Sequence, residues 1–118
     1  MYKGIIVDDA AIMRQRLRAI LEHDFEIVAE ASNGKEGMEA YSKFVPDFLT
    51  LDISMPEMNG LDALKKIITG HPDAKIIIVS AVGQKQIVFE ALSMGAKDFI
   101  IKPFEPERVH KSVKRLFE

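Results

Sequence analysis

Two adjacent acids, Asp8-Asp9, a third acid, Asp52, a hydroxyl, Ser80, and a lysine, Lys102, each stand directly after a short apolar run. Side chains of these types can handle a phosphoryl group. One carboxylate accepts it, the other acids hold a cation, the lysine meets its charge and the hydroxyl donates to one of its oxygens. Taken singly, each has a plainer role. Asp52 can cap its strand or the next turn, Asp8 can be a helix N-cap, Ser80 can be an ordinary strand-end hydroxyl, and Lys102 can lie along the rim. The chemical reading therefore rests on whether the fold gathers the ends of those runs in one place.

The runs alternate with stretches of helical period. Gly4-Ile5-Ile6-Val7 is continuously apolar, as in a strand buried on both faces. From Ala10 to Glu22, Met13, Leu17, Ile20 and Leu21 share one helical face, with Arg14, Arg16 and Arg18 largely outside it. Phe25 to Ala31 reads as a second strand. Asn33 suits an N-cap and opens a helix with Met38, Tyr41 and Phe44 on its apolar side, stopped by Pro46. Phe48-Leu49-Thr50-Leu51 is a third strand ending in Asp52. The loop with Met55-Pro56 closes at Asn59-Gly60, where a helix with Leu61, Leu64, Ile67 and Ile68 inward begins. Gly70 to Asp73 is a stop-and-turn cluster, and Lys75 to Ser80 a fourth strand. A helix from Gln84 to Met94 ends at Gly95. Lys97 to Ile101 is the fifth strand, and Pro106 suits the first turn of a last helix that buries Val109, Val113, Leu116 and Phe117.

Strictly alternating strands and helices imply parallel strands joined by right-handed crossovers, with helices on both faces. Five units are too few for an eightfold barrel. The expected fold is α/β: a flavodoxin-like, doubly wound (βα)5 sheet of strand order 2-1-3-4-5, in a single domain spanning residues 1–118. Its switch point falls between the first and third strands, and all strand carboxyl ends share one edge. Asp8, Asp9 and Asp52 then meet across one crevice, where three carboxylates do not all stay ionised without a cation. Mg²⁺ suits that oxygen-rich site. Zn²⁺ does not, because thiolates are absent and no histidine ends a strand. His23, His71 and His110 fall on helix or turn segments and read as surface residues.

Composition narrows the rest. A length of 118 residues buries a core without staples. The net charge of -2 suggests neither a nucleic-acid nor an anionic-membrane partner. The absence of cysteine excludes disulfides and fits a cytoplasmic location. No leader is expected, and the longest aliphatic run, Ile76 to Val79, is far short of the roughly 20 residues of a membrane span.

Asp8-Asp9, Leu51-Asp52, Met55-Pro56 through Asn59-Gly60, Ser80-Ala81, Gly95-Ala96 and Phe99 through Lys102-Pro103-Phe104 resemble the receiver domain of bacterial response regulators along the whole chain. The lack of an output segment resembles the single-domain members that serve chemotaxis. The resemblance implies that Asp52 accepts a phosphoryl group from a phosphohistidine on a sensor histidine kinase. It implies that Asp9 and Asp52 bind Mg²⁺, with the Ser54 backbone carbonyl as a further ligand and Asp8 acting mainly through water. Lys102 would pair with phosphoryl oxygens. Ser80 would hydrogen-bond one of them, and Phe99 would turn into the space Ser80 leaves. The family often has Tyr at the position of Phe99, so a hydroxyl contact to a partner is missing here. Ser54 and Val82 lie where the family tunes water access.

Two classes of function compete. One is a binding switch, expected to be monomeric, without turnover. The other is a Mg²⁺-dependent phosphohydrolase with an aspartyl nucleophile, but such enzymes carry a second Asp two positions on, where this chain has Ser54. A flavin-binding flavodoxin is disfavoured by acids where a phosphate loop belongs. For the switch, the fourth helix offers an output surface. Ile87, Ala91 and Met94 suit the core, while Val88 and Leu92, with Lys85 beside them and Phe99 on the adjoining strand, are expected to face a partner, with Phe89 pointing elsewhere. The resemblance makes that partner the kinase and the flagellar motor switch or a phosphatase.

Overall fold

Each apolar run is a strand and each periodic stretch a helix. In a computed structural model that describes residues 1–54 and 60–118, the elements run β1 (Lys3–Val7), α1 (Ala11–Leu21), β2 (Glu26–Ala31), α2 (Gly34–Phe44), β3 (Phe48–Leu51), α3 (Gly60–Gly70), β4 (Ile76–Ser80), α4 (Lys85–Met94), β5 (Asp98–Ile101) and α5 (Pro106–Arg115). The sheet is parallel in the order β2-β1-β3-β4-β5, as expected. The Met55-Pro56 loop and Asn59 as a helix start lie outside the described residues.

The period-2 alternation of the strands splits the core in two. Ile5, Leu49, Leu51 and Ile78 face α2, α3 and α4, and pack with Leu64, Ile67 and Ala91. Ile6, Phe48, Ile77 and Ile100 face α1 and α5, and pack with Leu17, Leu21, Val109 and Val113. The caps follow local chemistry. Asn33 Oδ1 accepts from the Glu36 N–H at 2.9 Å, as an N-cap should. Gly95 ends α4 at φ 119, a conformation open to glycine without steric cost.

Three expectations are corrected. Phe44 is exposed, because Tyr41 takes the inward position at the end of α2. Phe25 precedes β2 and packs edge-on against Phe48, at 5.3 Å between centroids. His71 and His110 are half-buried rather than free surface groups: His71 packs on the Tyr41 ring at 4.6 Å, and His110 Nε2 lies 2.6 Å from Asp24 Oδ2.

Thr50, in the middle of β3, places its hydroxyl in the core with no partner among the described residues. An unsatisfied buried hydroxyl carries a desolvation cost, so Thr50→Val, which keeps the branch and drops that oxygen, is expected to raise stability by about 1 kcal/mol. Urea unfolding at constant m-value measures this; a lower midpoint for the variant overturns it.

Candidate functional site

Register brings the acids together. Val7 pairs with Leu51, so Asp8 and Asp52 leave neighbouring strands side by side. The Asp52 N–H donates to the Val7 carbonyl at 3.0 Å, which holds the start of the loop against β1. Asp8 and Asp52 are both buried, while Asp9 is exposed. One carboxylate oxygen from each of the three lies within 4.8 Å of the others. From β5, Lys102 reaches across with Nζ 2.7 Å from Asp8 Oδ2 and 3.1 Å from Asp52 Oδ2. It does not lie along the rim. Its backbone N–H donates to the Ser80 carbonyl at 2.9 Å, and the Lys102–Pro103 peptide is cis.

Asp8 is not a helix N-cap. Ala10 holds that position without a side-chain cap, and Asp8 Oδ1 accepts the Ala10 N–H at 2.9 Å in a two-residue turn. Asp8 therefore makes direct contacts with both oxygens. Ser54 does more than its backbone suggests: its N–H and its hydroxyl both donate to Asp52 Oδ1, at 2.9 and 2.8 Å. The Ser80 hydroxyl accepts the Val82 N–H at 3.2 Å and makes no bond to Asp52 among the described residues. Gly60 closes the loop against the site. A Cβ there would fall 2.2 Å from Ile53 Cα and 2.7 Å from the Asp52 carbonyl oxygen, so only glycine lets α3 start that close.

Sequence reasoning missed the arginines of α1, read only as polar-face residues. Arg14 Nη1 donates to the Asp8 carbonyl at 2.7 Å, and its Nε pairs with Glu30 at 3.3 Å. Arg16 Nη2 donates to the Phe104 carbonyl at 3.2 Å, with its guanidinium 5.1 Å above the Phe104 ring. The signal was present in the spacing of Arg14 and Arg16 beside the first acidic pair, but each of the two reaches a backbone carbonyl, which no residue type announces.

The charges are unequal. Burial pushes the Asp8 carboxyl above its ordinary value, only partly offset by Lys102 and the Ala10 N–H. Burial pushes Asp52 up too, but the Ser54 hydrogen bonds and Lys102 outweigh it and hold that carboxyl below the usual range. Burial disfavours the Lys102 ammonium, yet the hydrogen bond it donates to Asp8 and the charges of both acids leave it raised. The site thus presents one firmly ionised carboxylate, Asp52, with an ammonium beside it.

The partner face needs a correction. At about 100° per residue, Lys85, Phe89 and Leu92 fall within one outward arc, and Val88 falls at the margin of the inward one. Accordingly Phe89 is 71% exposed and Leu92 44%, while Val88 packs partly buried against the core. Phe99 is 8% exposed and belongs to the core under α4, so its ring already points inward rather than at a partner. Lys85 is exposed, as expected.

A five-stranded sheet with clustered acids and a lysine at its carboxyl edge is the architecture of a signal receiver. The chain belongs to the response regulator receiver domain family, whose model matches residues 5–114. It is CheY-like, a chemotaxis response regulator by its relatives. It is 50% identical over 113 residues to the chemotaxis protein CheY of Thermotoga maritima, covering 95% of this chain and 94% of that protein. To CheY of Listeria monocytogenes it is 49% identical over 116 residues, covering 98% of each. Among solved structures, the CheX-CheY-BeF3-Mg complex from Borrelia burgdorferi superposes with a TM-score of 0.96 at 34% identity, covering 99% of this chain and 90% of that one. Receiver domains bind Mg²⁺ at an acidic pocket, and the pocket is present here. Among the described residues no helix is long and apolar enough to cross a membrane.

The raised Asp8 carboxyl has a stability consequence. Ionised Asp8 costs the folded chain stability above its folded value, and the cost fades as pH falls through that value to 3.8, where the unfolded chain also protonates. Without metal at pH 7, Asp8→Asn is expected to melt above the wild type, with the gap closing as pH falls towards 3.8. Saturating Mg²⁺ is expected to raise the wild-type midpoint more than the variant's. Calorimetric scans check both, and an Asn variant that melts lower at pH 7 counts against the crowding.

Proposed function

We propose that the chain is the phosphoacceptor switch of a chemotaxis pathway, with Asp52 taking a phosphoryl group from a phosphohistidine of a sensor histidine kinase. The observation that carries this is the Asp52 carboxylate, buried, held ionised and flanked by Lys102. A carboxylate oxygen attacks phosphorus, the N–P bond breaks, and the pair of electrons stays on the imidazole, which takes up a proton. Lys102 meets the charge that gathers on the phosphoryl oxygens. Ser54 fixes one carboxylate oxygen and so orients the nucleophile. Asp9 and Asp52, with the Ser54 backbone carbonyl and Asp8, would hold Mg²⁺. The all-oxygen donor set and the crowding at Asp8 fit a hard cation, which supplies charge neutralisation when bound.

The response is a two-state change and not turnover. Ser80, turned towards Val82 in this state, moves to a phosphoryl oxygen, and Phe99 adjusts beneath α4. Ser54 stands where a phosphohydrolase of this type would carry its second acid, and its donation to Asp52 leaves no general base there. We assign the output surface to Lys85, Phe89 and Leu92, reached through Phe99. The chain works in the cytoplasm as a monomer. Its partners are the kinase and the flagellar motor switch or a phosphatase; the Borrelia relative is itself seen with CheX.

Acetyl phosphate with Mg²⁺ is expected to add one phosphoryl group to the wild type and none to Asp52→Asn, read by intact-mass spectrometry. Labelling elsewhere, or labelling without metal, speaks against the site. Phe89→Glu or Leu92→Glu is expected to weaken binding to the partner by about tenfold, or about 1.4 kcal/mol, with labelling of Asp52 retained. Calorimetric titration measures the loss, and unchanged affinity in both variants moves the output surface elsewhere.

A further inference from the structure

β5 is an edge strand that carries Phe99 in its middle and Lys102 just past its end. Its far end is held by Lys102 in the acidic site and by Arg16 on the Phe104 carbonyl. Its near end is held by a different cluster that the receiver chemistry does not use. Arg108, on α5, forks onto Asp98: Nη1 lies 2.9 Å from Oδ2 and Nη2 3.1 Å from Oδ1. The Ser112 hydroxyl, one turn on, donates to Asp98 Oδ2 at 2.6 Å. The same cluster also takes both backbone polar groups of Phe99. The Phe99 N–H donates to Asp98 Oδ1 at 2.8 Å, and the Phe99 carbonyl accepts from Arg108 Nη2 at 3.3 Å.

We propose that the Arg108–Asp98 fork is a positioning device for the switch: it holds the two peptide units flanking Phe99, so that the ring swings about a fixed backbone and α5 follows β5.

The inference rests on the reading of Asp52 as phosphoacceptor. A bidentate guanidinium–carboxylate pair fixes orientation as well as distance, which a lysine cannot do. Burial raises the Asp98 carboxyl, but Arg108, Ser112 and the Phe99 N–H outweigh it and hold it below the ordinary range, so the fork stays ionised at neutral pH. Arg108 also lines, with Phe99, Ile101 and Phe104, an open groove of about 420 Å³ between β5 and α5. One side chain therefore touches the backbone of the switch residue and the face beside it. Without the fork, the Phe99 peptides are free to move with the ring. The ring is then placed less definitely in both states, and less of the signal at Asp52 reaches the surface.

The test uses the full chain carrying fluorinated phenylalanine, with the Phe99 signal assigned by Phe99→Leu, and beryllofluoride with Mg²⁺ as phosphoryl mimic. In the wild type the Phe99 fluorine signal is expected to move when the mimic is added. In Arg108→Ala and in Arg108→Lys, which keeps the charge but not the fork, the movement is expected to shrink by at least about threefold. Labelling of Asp52 by acetyl phosphate is expected to stay within about twofold of the wild-type rate in both. Val113→Ala, a core truncation on the same helix, serves as a stability control and is expected to keep the full movement. Arginine variants that move like the wild type overturn the inference, as does a Val113 variant that loses the movement equally. A Phe99 signal that stays still in a wild type labelled at Asp52 overturns this inference alone. Failure of that labelling overturns the reading of Asp52 on which it rests.

Discussion

The Lys102 ammonium, 2.7 Å from Asp8 and 3.1 Å from Asp52, is the contact on which the rest of the site depends. Two carboxylates leaving adjacent strands repel each other, and burial adds a desolvation cost for each charge. A single ammonium offsets part of both terms. It arrives from the edge strand β5, whereas the acids come from β1 and β3 at the centre of the sheet. The three elements are joined through the hydrogen-bonded ladders of the sheet, with β4 between β3 and β5, so the ion pair forms only when the whole sheet is in register. Anything that changes the charge at Asp52 must change the bonding of Lys102, and with it the end of β5.

That arrangement explains why a small parallel sheet suits a switch. The carboxyl edge gathers chemistry from distant positions in the chain, while β3 and β4 behind it are buried along their whole length and close-packed. β5 and α4 are less covered than those strands. β5 has a neighbour on one side only, and α4 inserts just a single fully buried residue, Ala91, into the core. Phe99 sits between these two elements. Local free energies of opening are lowest where buried contacts are few, which is where the proposed phosphoryl group on Asp52 would have most effect.

The sequence determined the order and type of the elements, because apolar period separates strands from helices locally and glycine, proline and asparagine mark their ends. It determined the strand topology too, since right-handed crossovers leave few arrangements for five alternating units. That Asp8, Asp9, Asp52 and Lys102 lie together was legible for that reason: strand ends of a parallel sheet share an edge, whatever the details of packing. What only the tertiary structure decided are particular hydrogen bonds, even between near neighbours in the chain, that no pattern of residue types announces. Ser54 giving its hydroxyl to Asp52, Arg14 on the Asp8 carbonyl and Arg108 on the Phe99 carbonyl are of that kind. The placement of Phe99 inside the core and of Phe89 outside it was decided there as well. The rotation of α4 on the sheet is set by how Ile87, Val88, Ala91 and Met94 pack together, and helical period alone defines a stripe without saying which residue at its margin reaches water.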